Sequence, residues 1–105
     1  MTNLAERAYA LLRKIPKGKV TTYKELGKAM GTTAYRAVGQ AMKMNPDAPQ
    51  TPCHRVVRSD GRLGGYMGET KGEGIKRKRD LLLSEGVKVE GDRVDLEKVK
   101  YVFEK

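Results

Sequence analysis

Clusters of proline and glycine divide this 105-residue chain into short segments. They fall at 16–19, at Gly31, in the proline-rich stretch 45–52, in the glycine-rich stretch 59–68 and at Gly86. Because proline interrupts helices and glycine commonly ends them, each segment can form only a short helix or strand. We therefore predict one small domain over residues 1–105, with a modest core.

The N-terminal part of the chain predicts three helices, over 3–15, 22–30 and about 33–44. Apolar residues recur at helical spacing in the first. The second opens with Thr22 and Glu25 at capping-box spacing. Thr32 or Thr33 would cap the third. The last two helices, joined by a turn at Gly31, match a helix-turn-helix pattern.

Small residues dominate the third helix, namely Ala34, Ala37, Gly39 and Ala41. A helix this slim can lie close against another surface, and a DNA groove is one candidate. Helix pairs are common, however, and Gly39 could equally serve a packing contact inside the domain. Taken alone, the helix-turn-helix pattern is therefore a weak signal for DNA binding.

The C-terminal part predicts a helix over 75–84, a small hairpin of 87–89 with 93–95, and a closing helix over 96–104 that directs Val99, Val102 and Phe103 inward. Gly86 would stop the first of these helices. Its basic run 76–79 predicts a cationic outer face, either simply solvated or in contact with phosphates. The fold class is mostly α with a small β element, a winged helix-turn-helix-like DNA-binding domain.

Charge is the strongest global property of the sequence. Lys and Arg number 22 against 13 Asp and Glu, which gives a formal net charge of +9. A domain this basic suits a polyanion such as nucleic acid, although a solvated lysine-rich surface has the same composition. No apolar run approaches the roughly 20 residues of a membrane span. The start of the chain lacks signal-peptide layout, so we expect an intracellular monomer without membrane contact.

The sequence has one cysteine and one histidine, and they are adjacent: Cys53 and His54. A structural metal site would need more such ligands, and a disulfide within the chain would need a second thiol, so neither is expected. Two interpretations remain. Cys53 is either a small apolar core residue or a nucleophile whose proton a nearby imidazole accepts.

Local geometry refines the second interpretation. If 53–57 forms a short strand, neighbouring side chains point to opposite faces, so His54 would reach the Cys53 sulfur only through a bridging water. A histidine used in this way also needs a group on its other nitrogen to fix the tautomer. Glu85, a carboxylate at the unfavourable end of a predicted helix, is a candidate for that group.

The motif Pro52-Cys53-His54-Arg55-Val56-Val57, with Asn45-Pro46 before it and Gly65-Tyr66-Met67-Gly68 after it, resembles the active-site domain of the O6-alkylguanine-DNA alkyltransferases. The similarity extends from about residue 18 to Gly86. In that family, a cysteine takes an alkyl group from O6 of a damaged guanine and keeps it. The resemblance implies a single-turnover reaction that needs no metal and no cofactor.

The resemblance assigns five residues to the chemistry: Cys53 as nucleophile, His54 as water-mediated base, Glu85 as its orienting partner, Asn45 as a brace of the turn, and Tyr66 as the group that assists departure of guanine O6. Substrate-binding positions are Val56, Met67 and Gly68, with the carbonyls of Cys53 and Val56 reading the guanine amino group.

Double-stranded DNA containing O6-alkylguanine is the implied partner. Arg36 matches the finger that enters the base stack, and Tyr23 matches the tyrosine that holds the flipped nucleotide. Thr33, Ala34 and Gly39 would belong to a surface that enters the minor groove.

Two departures, Glu69 in place of a usual glycine and a longer stretch over 69–79, are more like the alkyltransferase-like proteins. Those bind alkylated guanine without repairing it and flag it for excision-repair proteins. They usually have tryptophan at the position of Cys53, so the cysteine favours transfer. A plain helix-turn-helix regulator is the third alternative, and the absence of an obvious dimer element disfavours it.

Overall fold

The computed structural model describes residues 3–103 and is mostly α-helical with one small sheet. Its elements in chain order are α1 (Leu4–Leu12), β1 (Thr21–Thr22), α2 (Tyr23–Met30), α3 (Tyr35–Lys43), a short 3-10 helix (Cys53–Arg55), β2 (Val56–Val57), α4 (Glu73–Ser84) and α5 (Leu96–Val99). The predicted fold class is therefore confirmed. Within the described residues, no helix is long and apolar enough to cross a bilayer.

Local capping signals set the limits of the first two helices. The Asn3 side chain accepts a hydrogen bond from the backbone N–H of Glu6 (2.8 Å), so α1 begins as predicted. It ends at Leu12, earlier than the predicted residue 15, because the chain turns ahead of Pro16. The predicted Thr22 cap of α2 is confirmed by a 3.1 Å bond from the Glu25 N–H.

Helices α2 and α3 form the predicted helix-turn-helix. Gly31 ends α2 with φ of 70°, a left-handed conformation that glycine adopts without a Cβ penalty. The predicted threonine cap of α3 is wrong. The cap position belongs to Ala34, which has no capping side chain, and Thr32 instead accepts a 3.0 Å bond from the Ala34 N–H within the turn.

A two-stranded parallel sheet joins the helix-turn-helix to the cysteine segment. Thr21 pairs with Val56 and Thr22 with Val57. The prediction of a strand over 53–57 is wrong at its start. Backbone bonds from Arg55 to Pro52 (3.0 Å) and from Val56 to the Cys53 carbonyl close a 3-10 helix, so only the two valines reach strand geometry.

The C-terminal predictions need correction. The hairpin is reduced to one bridge, between Glu90 and Arg93. The closing helix stops at Val99, because the chain then extends and Tyr101 donates to the carbonyl of Val20 (2.6 Å). Val102 is 56% exposed, contrary to the prediction that it points inward. The predicted end of that helix, residue 104, lies outside the described residues.

Two apolar clusters form the core. The larger one joins α1, α2 and α3 to the cysteine segment and contains Cys53 and Tyr66 among its buried members. The smaller one lies beneath the C-terminal part, around Val57, Leu63 and Leu82. The short sheet lies between them. The cysteine is therefore placed where the helix-turn-helix meets the rest of the domain.

Candidate active site and DNA-facing helix

Cys53 lies at the start of the 3-10 helix and is only 4% exposed. The loop before it is held by Asn45, which is itself buried. The Asn45 amide donates to the carbonyl of Thr51 (2.8 Å), and its oxygen accepts from the backbone N–H of Asp47 (3.0 Å). These two bonds close the proline-rich loop on itself. Asn45 therefore occupies a position from which it can brace the turn beside the cysteine.

Burial raises the pKa of the Cys53 thiol, while the Asn45 amide and the Lys78 ammonium act in the opposite direction. The resting side chain is consequently a neutral thiol at neutral pH. This differs from a cysteine whose surroundings strongly lower its pKa, which is the common pattern for a freely reactive thiolate. A reaction at Cys53 would therefore require a base that removes the thiol proton.

His54 is 1% exposed and lies against Glu85, with 2.9 Å between Nε2 and Oε2. Burial lowers the pKa of His54, and contact with Glu85 raises it in part, so the imidazole is neutral at physiological pH. Because an ionised carboxylate can only accept, Nε2 must carry the proton and donate it to Glu85. Nδ1 is then the basic nitrogen, and it is buried without a hydrogen-bond partner among the described residues.

Glu85 also forms a bidentate ion pair with Arg55, whose guanidinium donates to both carboxylate oxygens at 2.8 and 2.7 Å. Burial raises the pKa of Glu85, but the bonds from Arg55 and His54 outweigh it and hold that pKa below its usual range. Arg55 further donates to the carbonyl of Ile15 (2.8 Å). It is a site residue that the sequence analysis did not identify, although it lies within the motif itself.

Lys78 is a second residue that sequence reasoning missed. The basic run 76–79 predicts that Lys78 lies on the outer face of α4, but its side chain is fully buried. Its ammonium donates to three backbone carbonyls, those of Val56 (2.7 Å), Leu63 and Gly65 (3.0 Å). Burial lowers the pKa of Lys78 to about 7, and a Cys53 thiolate would raise it again.

Three acceptors match the three N–H bonds of an ammonium, and a neutral amine could satisfy only two of them. Lys78 therefore ties β2 to the glycine-rich loop with a positive charge close enough to favour the Cys53 thiolate. The Val56 carbonyl, predicted to read the guanine amino group, accepts one bond from Lys78, and a carbonyl oxygen can accept a second.

The glycine-rich loop ends in a tight turn that faces the cysteine. Tyr66 and Glu69 exchange two backbone bonds (2.8 and 2.9 Å), and the residues between them, Met67 and Gly68, have φ of 52° and 86°. Two positive φ values define a type I′ turn, in which a residue such as Met costs about 1 kcal/mol. Tyr66 is buried, and burial raises the pKa of its hydroxyl, which stays protonated.

Glu69 explains the longer stretch that follows the turn. Its carboxylate accepts from the backbone N–H of Gly74 in the first turn of α4 (3.1 Å). A Cβ at Gly74 would come within 2.4 Å of the Glu69 Cβ, so glycine is needed for this close approach. The stretch is thus a capping loop that anchors α4. It leaves Lys78 on the inner face of that helix.

Helix α3 lies on the surface with part of its small-residue face outward; Ala37 is exposed, whereas Ala41 is buried in the core. Thr33, Ala34 and Arg36 are exposed, and Gly39 is half-buried. A Cβ added at Gly39 would meet no described atom within 4 Å beyond its chain neighbours and its own helix backbone, which excludes the alternative that this glycine serves a packing contact inside the domain. Tyr23, at the start of α2, is half-buried, and both burial and the nearby Cys53 raise its pKa.

The structure brings Cys53, Met67, Tyr66, Tyr23 and Asn45 to one centre. Arg36 stands apart from these residues on the exposed α3, outside the chemical centre. Its assignment therefore depends on a partner that bridges the two regions.

Comparison with known proteins agrees with this arrangement. Residues 3–87 match the family model of the 6-O-methylguanine DNA methyltransferase DNA-binding domain. A methylated-DNA–protein-cysteine methyltransferase of Methanothermobacter thermautotrophicus is 41% identical over 86% of this chain and 48% of its own length. A bifunctional methyltransferase/endonuclease of Picrophilus torridus is 39% identical over 89% of this chain and 30% of its own length. The chain thus spans half or less of these curated relatives.

Two solved structures of DNA complexes are similar to this chain. Atl1 of S. pombe, in complex with damaged DNA containing O6-carboxymethylguanine, superposes with a TM-score of 0.80 at 30% identity, over 92% of this chain and 93% of that one. Mycobacterium tuberculosis OGT in complex with DNA gives 0.71 at 42% identity, over 81% and 50%. The chain is a member of the O6-methylguanine DNA methyltransferase family, through that family's DNA-binding domain.

Proposed function

We propose that this chain repairs O6-alkylguanine in double-stranded DNA by moving the alkyl group onto Cys53, once per molecule. The observation that carries the proposal is the chain of contacts behind the cysteine. Glu85 fixes a neutral His54, whose basic Nδ1 has no partner in residues 3–103, and Arg55 fixes Glu85 in turn. A buried thiol next to such a base is suited to being deprotonated on demand.

DNA access follows from the exposed α3. A guanine within duplex DNA hides its O6, so the nucleotide must be extruded at a cost of a few kcal/mol. In this proposal, the slim surface of Thr33, Ala34 and Gly39 enters the minor groove and Arg36 fills the gap in the base stack. Tyr23, half-buried beside the centre, holds the extruded nucleotide.

Alkyl transfer to Cys53 is a single displacement at the alkyl carbon. The thiol proton passes through water to Nδ1 of His54, and the thiolate attacks the alkyl carbon. The S–C bond forms as the C–O6 bond breaks, with its electron pair moving to guanine. Tyr66 donates a proton to the leaving guanine, and the proton held by His54 returns to Tyr66 through solvent. The thioether is a poor leaving group, so Cys53 is not regenerated.

A second function has specific support. The superposition with Atl1 covers more than nine-tenths of both chains, and burial raises the Cys53 pKa. Both observations suit a protein that binds alkylated guanine without removing the alkyl group and leaves it to excision-repair proteins. The presence of a cysteine with a tethered base favours transfer. We therefore rank the binding function second.

Intact mass spectrometry separates the two functions. The protein is incubated with a duplex carrying one O6-methylguanine, and transfer adds one methyl group that maps to Cys53. The Cys53→Ala variant should bind the damaged duplex as tightly as wild type without gaining mass. An unchanged wild-type mass, combined with tighter binding of the damaged duplex than of its undamaged twin, would establish the binding function instead.

A further inference from the structure

The Met67 side chain lies directly on the Cys53 thiol. Its Sδ is 3.7 Å from the Cys53 Sγ and accepts a weak hydrogen bond from the thiol. Met67 is half-buried and packs against the apolar cluster that contains Cys53. Cys53 is only 4% exposed, so the thiol is almost completely enclosed.

The backbone holds Met67 in this place. It is the one residue other than glycine with a positive φ among the described residues, at the tip of the type I′ turn. The turn is closed by the paired bonds of Tyr66 and Glu69, and Gly68 lies against the stem of Lys43. A bulky residue in this conformation is uncommon, and such outliers concentrate where a side chain must be aimed at a functional group.

The position of Met67 limits the directions from which a reactant can reach the Cys53 sulfur. A carbon under attack by Sγ must come to about 3–3.5 Å from it, along a path clear of other atoms. The thioether of Met67 occupies part of the space around Sγ at a similar distance. A substrate that approaches the thiol on this side requires the Met67 side chain to rotate away, which the three flexible bonds of methionine allow.

We infer that Met67 is a movable cover over Cys53 that limits access to the thiol and selects against bulky O6 substituents. The selectivity half of this inference rests on the proposed function. The access half does not, because it concerns any electrophile that reaches the thiol. A small methyl group requires only a slight displacement of Met67, whereas a ring must displace it fully.

The test compares three variants with wild type. Met67→Asn shortens the side chain at a turn position that asparagine favours, so the fold should be kept; Met67→Gly is the second choice if it is not. Met67→Leu keeps the bulk without the sulfur. Met44→Ala removes an exposed methionine of the surface and is the matched control.

Access is measured as the rate at which iodoacetamide alkylates Cys53, followed by intact mass. We expect Met67→Asn to react at least about fivefold faster than wild type, because reactivity follows exposure. Met67→Leu should restore slow reaction, and Met44→Ala should match wild type. A wild-type rate for Met67→Asn would overturn the inference that Met67 covers the thiol. So would a Met67→Leu rate as fast as that of Met67→Asn.

Selectivity is measured with duplexes carrying O6-methylguanine or O6-benzylguanine. The ratio of benzyl to methyl transfer should rise several-fold in Met67→Asn and stay near wild type in Met67→Leu. An unchanged ratio would refute the selectivity half. If no duplex alkylates even wild type, the proposed transfer fails, while the iodoacetamide result still decides whether Met67 covers the thiol.

Discussion

Helix α3 exposes both of its basic side chains, Arg36 and Lys43, whereas helix α4 buries one of its four. Lys78 is enclosed among three carbonyls, and its helix neighbour Lys76 lies on the surface beside Asp80 (3.4 Å). The same residue type therefore serves two purposes in one small domain. On α3 the charge is available to a partner, and on α4 it organises the centre behind the cysteine.

The largest effect should come from Lys78→Met. Three buried carbonyls would lose their hydrogen-bond donor, which destabilises the fold, while removal of a buried charge stabilises it in part. We expect a net loss of about 3 kcal/mol in the free energy of unfolding. Transfer should also fall, because the charge that favours the Cys53 thiolate is gone. Lys76→Met is the matched control and should stay within about 0.5 kcal/mol of wild type. Urea denaturation measures both variants. Equal stability of the two would refute the distinction between inner and outer charges.

Glu85→Gln should rank next, with a loss of about 2 kcal/mol at neutral pH from weakened bonds to Arg55 and His54. The folded-state pKa of Glu85 lies below its ordinary value of about 4.3, so its stabilisation is present above that pH and lost as pH falls through the folded pKa. The difference between wild type and Glu85→Gln should therefore shrink below about pH 4. Glu90→Gln, at an exposed position, should have little effect at neutral pH. A pH-independent difference would contradict the ionised Glu85.

Local signals explain which parts of the fold could be predicted. The caps at Asn3 and Thr22 and the stop at Gly31 act within a few residues, so α1 and α2 could be read directly from the sequence. The 3-10 helix could not, because it depends on how Pro52 delivers the chain to β2. The prediction of the closing helix was wrong for a similar reason, because the bridge between Lys100 and distant Val20 competes with helix formation.

The candidate site likewise contains contacts that the sequence predicts and contacts that it does not. The contact of Glu85 with His54 could be anticipated from an unfavourable charge at a helix end. The burial of Lys78 could not be anticipated from its basic neighbours, since its three carbonyl acceptors come from two other segments. One signal was available: Lys78 is four residues from both Gly74 and Leu82, which are buried on the same face of α4.

Arg36→Ala should leave stability unchanged and slow alkyl transfer from duplex DNA by about 10–100-fold, as expected when a residue that stabilises an extruded base is lost. Reaction with free O6-benzylguanine base should be unaffected, because no base stack has to be opened. Gln40→Ala, another exposed change on α3, is the matched control. Equal slowing with duplex and free base would show that Arg36 acts on the chemistry or the fold and not on the base stack.

The smallest effect should come from Gly39→Ala, which separates the contribution of α3 to stability from its contribution to DNA binding. Alanine within a helix is favoured over glycine by about 0.5–1 kcal/mol, and no described atom would meet its methyl group, so the free protein should become more stable. If α3 enters a groove, however, that methyl group lies between the helix backbone and DNA, and duplex binding should weaken several-fold. Thermal unfolding and a binding titration measure the two changes. Opposite signs would mean that this glycine is retained for DNA at the expense of stability, whereas stabilisation with unchanged binding would remove Gly39 from the DNA surface.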